Sequence, residues 1–375
     1  MPLKANVLDD IARDHSLAAT PEHTKRTSES DSVILEDESG RIALTGEALA
    51  KEHLVTGVTI AVLGYESEST KFEVEEVVYA GLAPTAHIPH NTPNDSTYCA
   101  FLCGFYLGDF GSGTPVPPKS QVASWNDTAG SLSLFLDWIS GESGSEKDRE
   151  LAQRVSRVVI AGNSLCAPPI EDERDSASDM ISKVSATTNT SMRQAVVSLS
   201  ESLQEIARTV PVHVLPGASD PTGAALPQQP MPGWIFRFAA NDGSSPSEAI
   251  RMESNPTWIH SSGRSILVHS GQPIDDIYLH TVETDRMNMV RNTLKWRHIA
   301  PTAPDTLWSY PYTKEDPFVL DRTPDIYVIG NQPAFATEMV VGPTRVVLLP
   351  EFAARALVVL VDSATLGVET VEFGV

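Results

Sequence analysis

The sequence predicts an α+β/α/β chain in two parts, a small partial β-barrel followed by two packed β-sheets flanked by helices. Three features predict it. Up to Tyr79 the chain shows short strand-like runs broken by Gly and charged turns. From Cys99 onward, apolar runs of strand length alternate with stretches of helical spacing. Across residues 335–373 the pattern returns to strand-like runs separated by Gly and Pro, as in hairpins.

In the first part, Val7, Leu8 and Ile11 share one side of a short helix over residues 7–15, and the polar residues 18–32 read as a mobile loop. Strands follow at 41–44, 58–63 and 72–79. Short strands with a helix-bearing loop suggest a barrel of the OB type. Three strands cannot close a five-strand barrel, so either further strands lie elsewhere in the chain or the domain is incomplete at its N-terminal side. Residues 1–83 form this domain. Residues 84–97, with Pro84, Pro89 and Pro93, form a linker, and residues 98–375 form the second domain.

In the second part, residues 99–104 are a buried strand. Leu132, Phe135, Leu136 and Ile139 mark a helix, and residues 155–161 a strand ending in Gly162. Val196, Leu199, Leu203 and Ile206 mark an amphipathic helix before the strand 212–215. The strand 266–269, a helix through Met287, Val290 and Leu294, and the strand 326–329 come next. The tail strands are 335–341, 345–349, 356–361 and 368–373. Stretches 109–129, 168–191 and 241–247 are rich in Gly, Pro, Ser and charge, and are expected to be surface loops.

Composition narrows the function. A chain of 375 residues can bury two cores, and 41% hydrophobic with 20% charged residues is ordinary for a globular protein. The net charge of −22 opposes direct binding to nucleic acid, which needs a Lys/Arg surface. Cys99, Cys103 and Cys166 make neither a disulfide framework nor a zinc site. The N-terminus carries no apolar signal segment, and the apolar run 356–361 is far too short to cross a membrane. These features point to a reducing intracellular compartment.

Chemistry in such a fold gathers where strands run into loops. The ends are Gly104-Phe105-Tyr106, Ala161-Gly162-Asn163-Ser164-Leu165-Cys166, Pro216-Gly217-Ala218-Ser219-Asp220, His269-Ser270-Gly271 and Gly330-Asn331-Gln332-Pro333. In order and placement they resemble the calcineurin-like phosphoesterases. Those enzymes carry D-x-H, G-D-x-x-D, G-N-H-D, a His before Gly, and G-H-x-H at such ends. Carboxylates, imidazoles and an Asn there fix two cations that polarise phosphate and generate hydroxide. Here Gly104 stands at the Asp position and Tyr106 at the His position. Asn163 replaces the bridging Asp and Cys166 the second Asp. Ala218 and Ser219 replace Asn and His, Ser270 fills the slot before Gly, and Asn331 and Pro333 replace both histidines. Asp220 and Asn163 remain as oxygen ligands with no imidazole, too little for two divalent cations. The sequence therefore predicts no catalytic residue, no metal and no cofactor. The ends are expected to be packed shut by Tyr106, Cys166 and Pro333.

Other candidates are weaker. His269 is one residue off the ligand slot, so strand alternation turns it to the other face and makes it a core histidine. Asp275 and Asp276 suit a helix start, and Asp276 and His280 could share a helix face. Tyr65, Phe72 and Tyr79 could stack single-stranded bases, but Glu66, Glu68, Glu73, Glu75 and Glu76 surround them. They are expected to be barrel core.

The residues around these ends carry a specific resemblance. Leu215-Pro216-Gly217-Ala218-Ser219-Asp220-Pro221-Thr222, Leu226-Pro227-Gln228-Gln229-Pro230 and Arg297-His298-Ile299-Ala300-Pro301-Thr302-Ala303-Pro304-Asp305-Thr306-Leu307 resemble the B-subunit family of replicative DNA polymerases, in its delta branch. Asp316-Pro317-Phe318 and Gly330-Asn331-Gln332-Pro333 extend the likeness, which covers nearly the whole chain. It implies an OB domain packed on an inactive calcineurin-like phosphodiesterase domain. It implies a noncatalytic scaffold of polymerase delta in DNA replication and repair. Such a scaffold holds the C-terminal metal-binding domain of the catalytic subunit and docks the third subunit. It works in the nucleus, meets DNA only through the complex, and touches no membrane. Small subunits of archaeal D-family polymerases keep the metal ligands and act as nucleases, and this chain departs from them at the positions above. Met1-Pro2-Leu3 resembles a segment inside the family's barrel, which implies a truncated gene model. Two alternatives stay open: a divergent metal-dependent phosphoesterase or nuclease, and an independent single-strand-binding OB protein with salt-sensitive binding.

Overall fold

The computed structural model describes residues 25–67, 71–85, 96–108, 125–166, 178–239, 249–340, 342 and 344–374. The expected helix over 7–15 lies outside the described residues, as do 109–124, 168–177 and the whole of 241–247 of the three expected loops, and 86–95 of the expected linker.

The first part is a four-stranded sheet of β1 (Val33–Glu36), β2 (Arg41–Thr45), β3 (Ala61–Glu66) and β4 (Phe72–Val78), with one turn of helix, α1 (Glu47–Ala50), between β2 and β3. The strand order is β1-β2-β4-β3. Leu44, Leu49 and Val74 form its core, with Leu35, Ile42, Val62, Phe72 and Val77 packed around them. Sequence patterning missed β1, whose four residues alternate half-buried and exposed and gain a partner only in β2. The strand expected at 58–63 starts later, because pairing with β4 runs from Ala61↔Val78 to Glu66↔Phe72. The ladder slips between Leu63 and Gly64. A Cβ on Gly64 would stand 1.9 Å from the Glu73 carbonyl oxygen, so the slip demands glycine. Tyr65 is exposed, contrary to its expected core role, because it lies on the outward side of β3.

The second part holds two larger sheets. One has six strands in the order β15-β14-β5-β6-β7-β8: β5 (Tyr98–Leu102), β6 (Val155–Ala161), β7 (Val212–Leu215), β8 (Ile250–Met252), β14 (Leu357–Asp362) and β15 (Val368–Glu372). The other has five in the order β12-β13-β11-β10-β9: β9 (Thr257–Ser261), β10 (Arg264–His269), β11 (Ile326–Gln332), β12 (Ala336–Val340) and β13 (Thr344–Pro350). Their inner faces meet through Phe101, Val159, Leu215 and Val359 from one sheet, and Ile266, Val268, Val328 and Val347 from the other. The outer face of the six-stranded sheet is covered by α2 (Trp125–Ile139), α4 (Ser178–Thr209) and α5 (Gly233–Ala239), with Phe135, Leu199 and Phe236 as anchors. The short α3 (Glu146–Gln153) contributes Ala152. The outer face of the five-stranded sheet is covered by α6 (Gln272–Leu279) and α7 (Arg286–Trp296), through Ile274, Ile277, Val290 and Leu294. The layers run helix, sheet, sheet, helix.

Two expected loops are shorter than predicted. Residues 125–129 belong to α2, and residues 178–191 are the first half of α4. From Ser178 to Thr209 there is no Gly or Pro, so the helix seeded by the amphipathic residues 196–206 propagates backwards. The largely polar α3 packs Leu151 and Ala152 on the core and opens with a capping box. The Ser145 hydroxyl accepts from Asp148 N–H, and the Asp148 carboxylate accepts from Ser145 N–H.

Several contacts tie the small sheet to the large unit, among them the ion pair of His53 with Glu283 at 3.5 Å and a cluster around Arg297. Arg297, in the left-handed conformation that ends α7, donates to the carbonyls of Gly81 and Leu82, each at 2.8 Å. Gly81 N–H donates back to Lys295 O at 3.0 Å. Tyr79 donates to Glu52 at 2.7 Å while the Lys295 ammonium sits 4.0 Å from its ring centroid. Val55, Val58 and Tyr79 pack on the outer core of the five-stranded sheet.

Phe101 is completely buried between the two sheets. Phe101→Ala is expected to cost about 3–5 kcal/mol, read from denaturant unfolding midpoints. A loss below about 1 kcal/mol would contradict this account of the core.

Candidate functional site

β5, β6 and β7 run parallel in one sheet, and β10 and β11 run parallel in the other. Their C-terminal ends therefore gather at one edge, where ligand sites form in open α/β sheets. The chain reverses there through left-handed residues: Gly104, Tyr106, Gly162, Asn163, Gly271 and Asn331. Ends of neighbouring strands bond directly. Gly104 N–H donates to Gly162 O at 2.9 Å and Tyr106 N–H to Asn163 O at 3.0 Å. The two sheets are joined by the Asn331 amide, which donates to Ser270 O at 2.8 Å and Ala161 O at 3.2 Å. A Cβ on Gly162 would lie 2.4 Å from Ser270 Cβ and 2.9 Å from Gly217 Cα, so only glycine fits.

The side chains at these ends satisfy one another. Asn163 Nδ2 donates to the Tyr106 hydroxyl at 2.8 Å, which donates to Glu351 Oε1 at 3.0 Å. Asn163 Oδ1 accepts from Ser219 N–H at 3.2 Å. Burial and the neighbouring Glu351 carboxylate raise the Tyr106 hydroxyl far above its ordinary range, so it stays a proton donor. Asp220 accepts from Leu165 N–H at 2.8 Å and Gly217 N–H at 2.7 Å. Cys166 is buried and points its thiol at Tyr106 O, 2.7 Å away. Ser270 Oγ accepts from Asn255 Nδ2 at 2.7 Å and donates to Gln272 Oε1. Asn255 also bonds Gln228 Oε1 at 2.7 Å, and Gln228 Nε2 reaches Gly217 O at 3.1 Å.

Tyr106, Asn163, Cys166, Asp220, Ser270 and Asn331 are thus buried together at the converging ends, with Gly104 against Asn331 and Glu351. Ser219 is half-buried. Two expectations fail. Pro333 is exposed, because β11 continues through Gln332 and carries the next residue out of the layer; Gln332 and Asn331 are the buried members of that block. Ala218, expected among the residues of the pocket, is instead exposed on the turn between Gly217 and Asp220. Sequence reasoning missed Glu351, Asn255, Gln228 and Gln272 as members of this network. Glu351 had a signal: it is the acid directly after the apolar strand β13.

His269 lies on the other face, fully buried. Its Nδ1 accepts from Gly271 N–H at 3.1 Å, so Nε2 carries the proton toward the Tyr327 hydroxyl at 3.2 Å. Burial pushes its pKa down to about 3, and it is neutral at pH 7. Asp276 and His280 do share a face of α6, at 3.6 Å, and Asp276 also accepts from Thr306 at 2.6 Å. Asp275, in the first turn of α6, pairs with Arg286 at 2.6 Å.

Among the described residues, no three or more His, Cys, Asp or Glu side chains are grouped to hold a metal ion. Among the described residues at these strand ends, the buried oxygens left without a partner are neutral: Ser164 Oγ, Ser219 Oγ and Asn331 Oδ1. Space is also lacking. A Cβ on Gly104 would lie 2.9 Å from both Asn331 Oδ1 and Glu351 Cβ. What the arrangement can do chemically is hold five strand ends in one rigid array.

The family of DNA polymerase alpha/epsilon B-subunits matches residues 120–337, and the DNA polymerase delta subunit OB-fold domain matches residues 1–77. The DNA polymerase delta small subunit of Arabidopsis thaliana is 34% identical, over 100% of this chain and 79% of its own length. That of Saccharomyces cerevisiae is 29% identical, over 100% and 77%. The DNA polymerase II small subunit of Archaeoglobus fulgidus is 25% identical over 54% of this chain and 39% of its own. An OB-matched sheet joined to a four-layer unit thus defines the class of DNA polymerase B-subunits. Within that class, the chain belongs to the family of DNA polymerase delta small subunits.

Two measurements check the site. Gly104→Asp is expected to lower the melting temperature without gaining manganese or zinc by elemental analysis, because the new side chain has nowhere to go. Burial raises Asp220 from 3.8 to about 6, against the opposing pull of its backbone donors. The folded value lies above the unfolded one, so this contribution to stability is present below pH 3.8 and lost as pH rises through about 6. The stability margin of the native protein over Asp220→Asn should therefore shrink across that window, by on the order of 3 kcal/mol. Urea midpoints at stepped pH read this directly, and a pH-independent margin would contradict it.

Proposed function

We propose that this chain is a noncatalytic accessory subunit of a DNA polymerase delta complex. It acts as a scaffold that bridges the C-terminal domain of the catalytic subunit to the third subunit, in replication and repair synthesis in the nucleus. One observation carries the noncatalytic part. At the strand ends where calcineurin-like phosphodiesterases hold two metals, this chain has a Tyr–Asn–Glu hydrogen-bond chain and backbone-bound Asp220, closed on themselves. The phosphodiesterase reading gives the organisation 1–83, 84–97 and 98–375, with Gly104, Tyr106, Asn163, Cys166, Ser219, Asp220, Ser270 and Asn331 as the vestigial pocket. Family membership supports the partner assignment. The net charge of −22 supports contact with DNA through basic partners rather than through this chain.

The test is affinity purification of the tagged protein from its own cells, with mass spectrometry, beside elemental analysis and phosphodiester hydrolysis by the isolated chain. Recovery of the catalytic and third subunits in near-equal amounts, with no chelator-sensitive hydrolysis, is the expected result. Bound manganese, zinc or iron with chelator-sensitive hydrolysis would sink the noncatalytic reading and restore a divergent phosphoesterase.

A further inference from the structure

Outside the strand ends, the most unusual surface is a short aromatic strip. Trp308 is 73% exposed, Tyr310 40% and Tyr312 48%. Single exposed apolar residues are common, but three large aromatics two residues apart are not. The strip is rigid where it begins. Leu226 N–H donates to Trp308 O at 2.8 Å, and Tyr310 N–H donates to Leu226 O at 3.0 Å, around a parallel bridge between Leu226 and Ser309. In extended backbone Trp308 and Tyr310 take the same side. The stretch is anchored at both ends, by buried Thr302 and buried Phe318. Asp316 fastens the far end, accepting from Phe318 N–H at 2.8 Å and lying 3.0 Å from His298 Nε2. Aromatic rings held outward on fixed backbone lose little entropy when they are covered, which is the property of binding hot spots.

Charge narrows the occupant. Between residues 305 and 321 stand Asp305, Glu315, Asp316 and Asp321, against Lys314 alone. Arg322, just beyond, is engaged over the Trp258 ring at 4.4 Å. The Tyr312 hydroxyl is raised by burial and then by Tyr310 and Asp316, so rings and acid share one patch. Stacked rings accept a nucleic-acid base or a guanidinium. A base brings phosphate, which this acidic setting repels. A guanidinium stacks on an aromatic face and pairs with carboxylates through its fork of N–H donors. We propose that the Trp308–Tyr310–Tyr312 strip, flanked along the chain by the exposed acids Asp305 and Glu315, docks an arginine-bearing segment of a partner protein. The choice of partner, a subunit of the same polymerase, rests on the function proposed above.

The experiment measures affinity of the full chain for three probes: the purified catalytic subunit, the purified third subunit, and a single-stranded oligothymidylate. The expected result is binding to one subunit that falls at least tenfold in Trp308→Ser/Tyr310→Ser/Tyr312→Ser, and weakens in Asp305→Asn/Glu315→Gln and with added salt. A photo-crosslinking residue at Tyr310 should attach to a segment of that subunit containing arginine. Thermal unfolding checks that the variants fold; if the triple variant does not, Trp308→Ser alone carries the comparison. Native binding to the subunits that the variants leave unchanged would overturn the docking strip while the scaffold reading stands. No native binding to either subunit would overturn both. Oligothymidylate bound through the strip, or a crosslinked segment without arginine, would overturn the assigned occupant.

Discussion

Everything in the larger unit depends on how closely five strand ends approach. Two sheets pack face to face through side chains, but at one edge they meet almost backbone to backbone. Gly162 stands against Ser270 and Gly217, and Gly330 against the Ala161 carbonyl, at distances that leave no room for a Cβ. Asn331 closes the seam by donating its amide to carbonyls on two other strand ends, one in each sheet. Backbone this crowded and this buried must satisfy its own polar groups, since water is excluded. The left-handed turns at Tyr106, Asn163 and Asn331 and the short side chains around them follow from that requirement.

The same crowding explains the chemistry of the edge. A buried array of carboxylates and imidazoles would need cations to be stable. Here most of the buried polar groups find partners in one another and in the backbone. Tyr106 stays protonated and bridges Asn163 to Glu351. Asp220 is wrapped by backbone N–H donors, and His269 is turned away and neutral. Polar residues at these positions brace the strand ends against one another.

The segments that mark the family in sequence are joints in the structure. Residues 215–230 contain Asp220, which ties the ends of β6 and β7, and Gln228, which links Gly217 to Asn255 and so to Ser270. Residues 297–307 start with Arg297, the clamp on the chain leaving the small sheet, and end beside the pinned aromatic strip. Both carry several prolines and polar residues with fixed partners, which is why they are long and recognisable where a strand of Val and Leu is not.

The sequence by itself determined the two-part α/β order, most buried strands, the five strand ends in their sequence order, and the residue types that stand at them. Those features are local: apolar runs, Gly at chain reversals and residue type in a motif. Tertiary structure alone decided the rest. β1 exists only because β2 pairs with it, and β3 starts where β4 begins to match it. The first half of α4 is helical because its second half is anchored on the sheet. Pro333 faces solvent and Gln332 the interior because β11 runs three residues further than its apolar run suggests. Glu351, 245 residues from Tyr106, becomes its partner through the meeting of β13 and β5 ends. A contact across that separation is set by how sheets stack, and no local pattern encodes it.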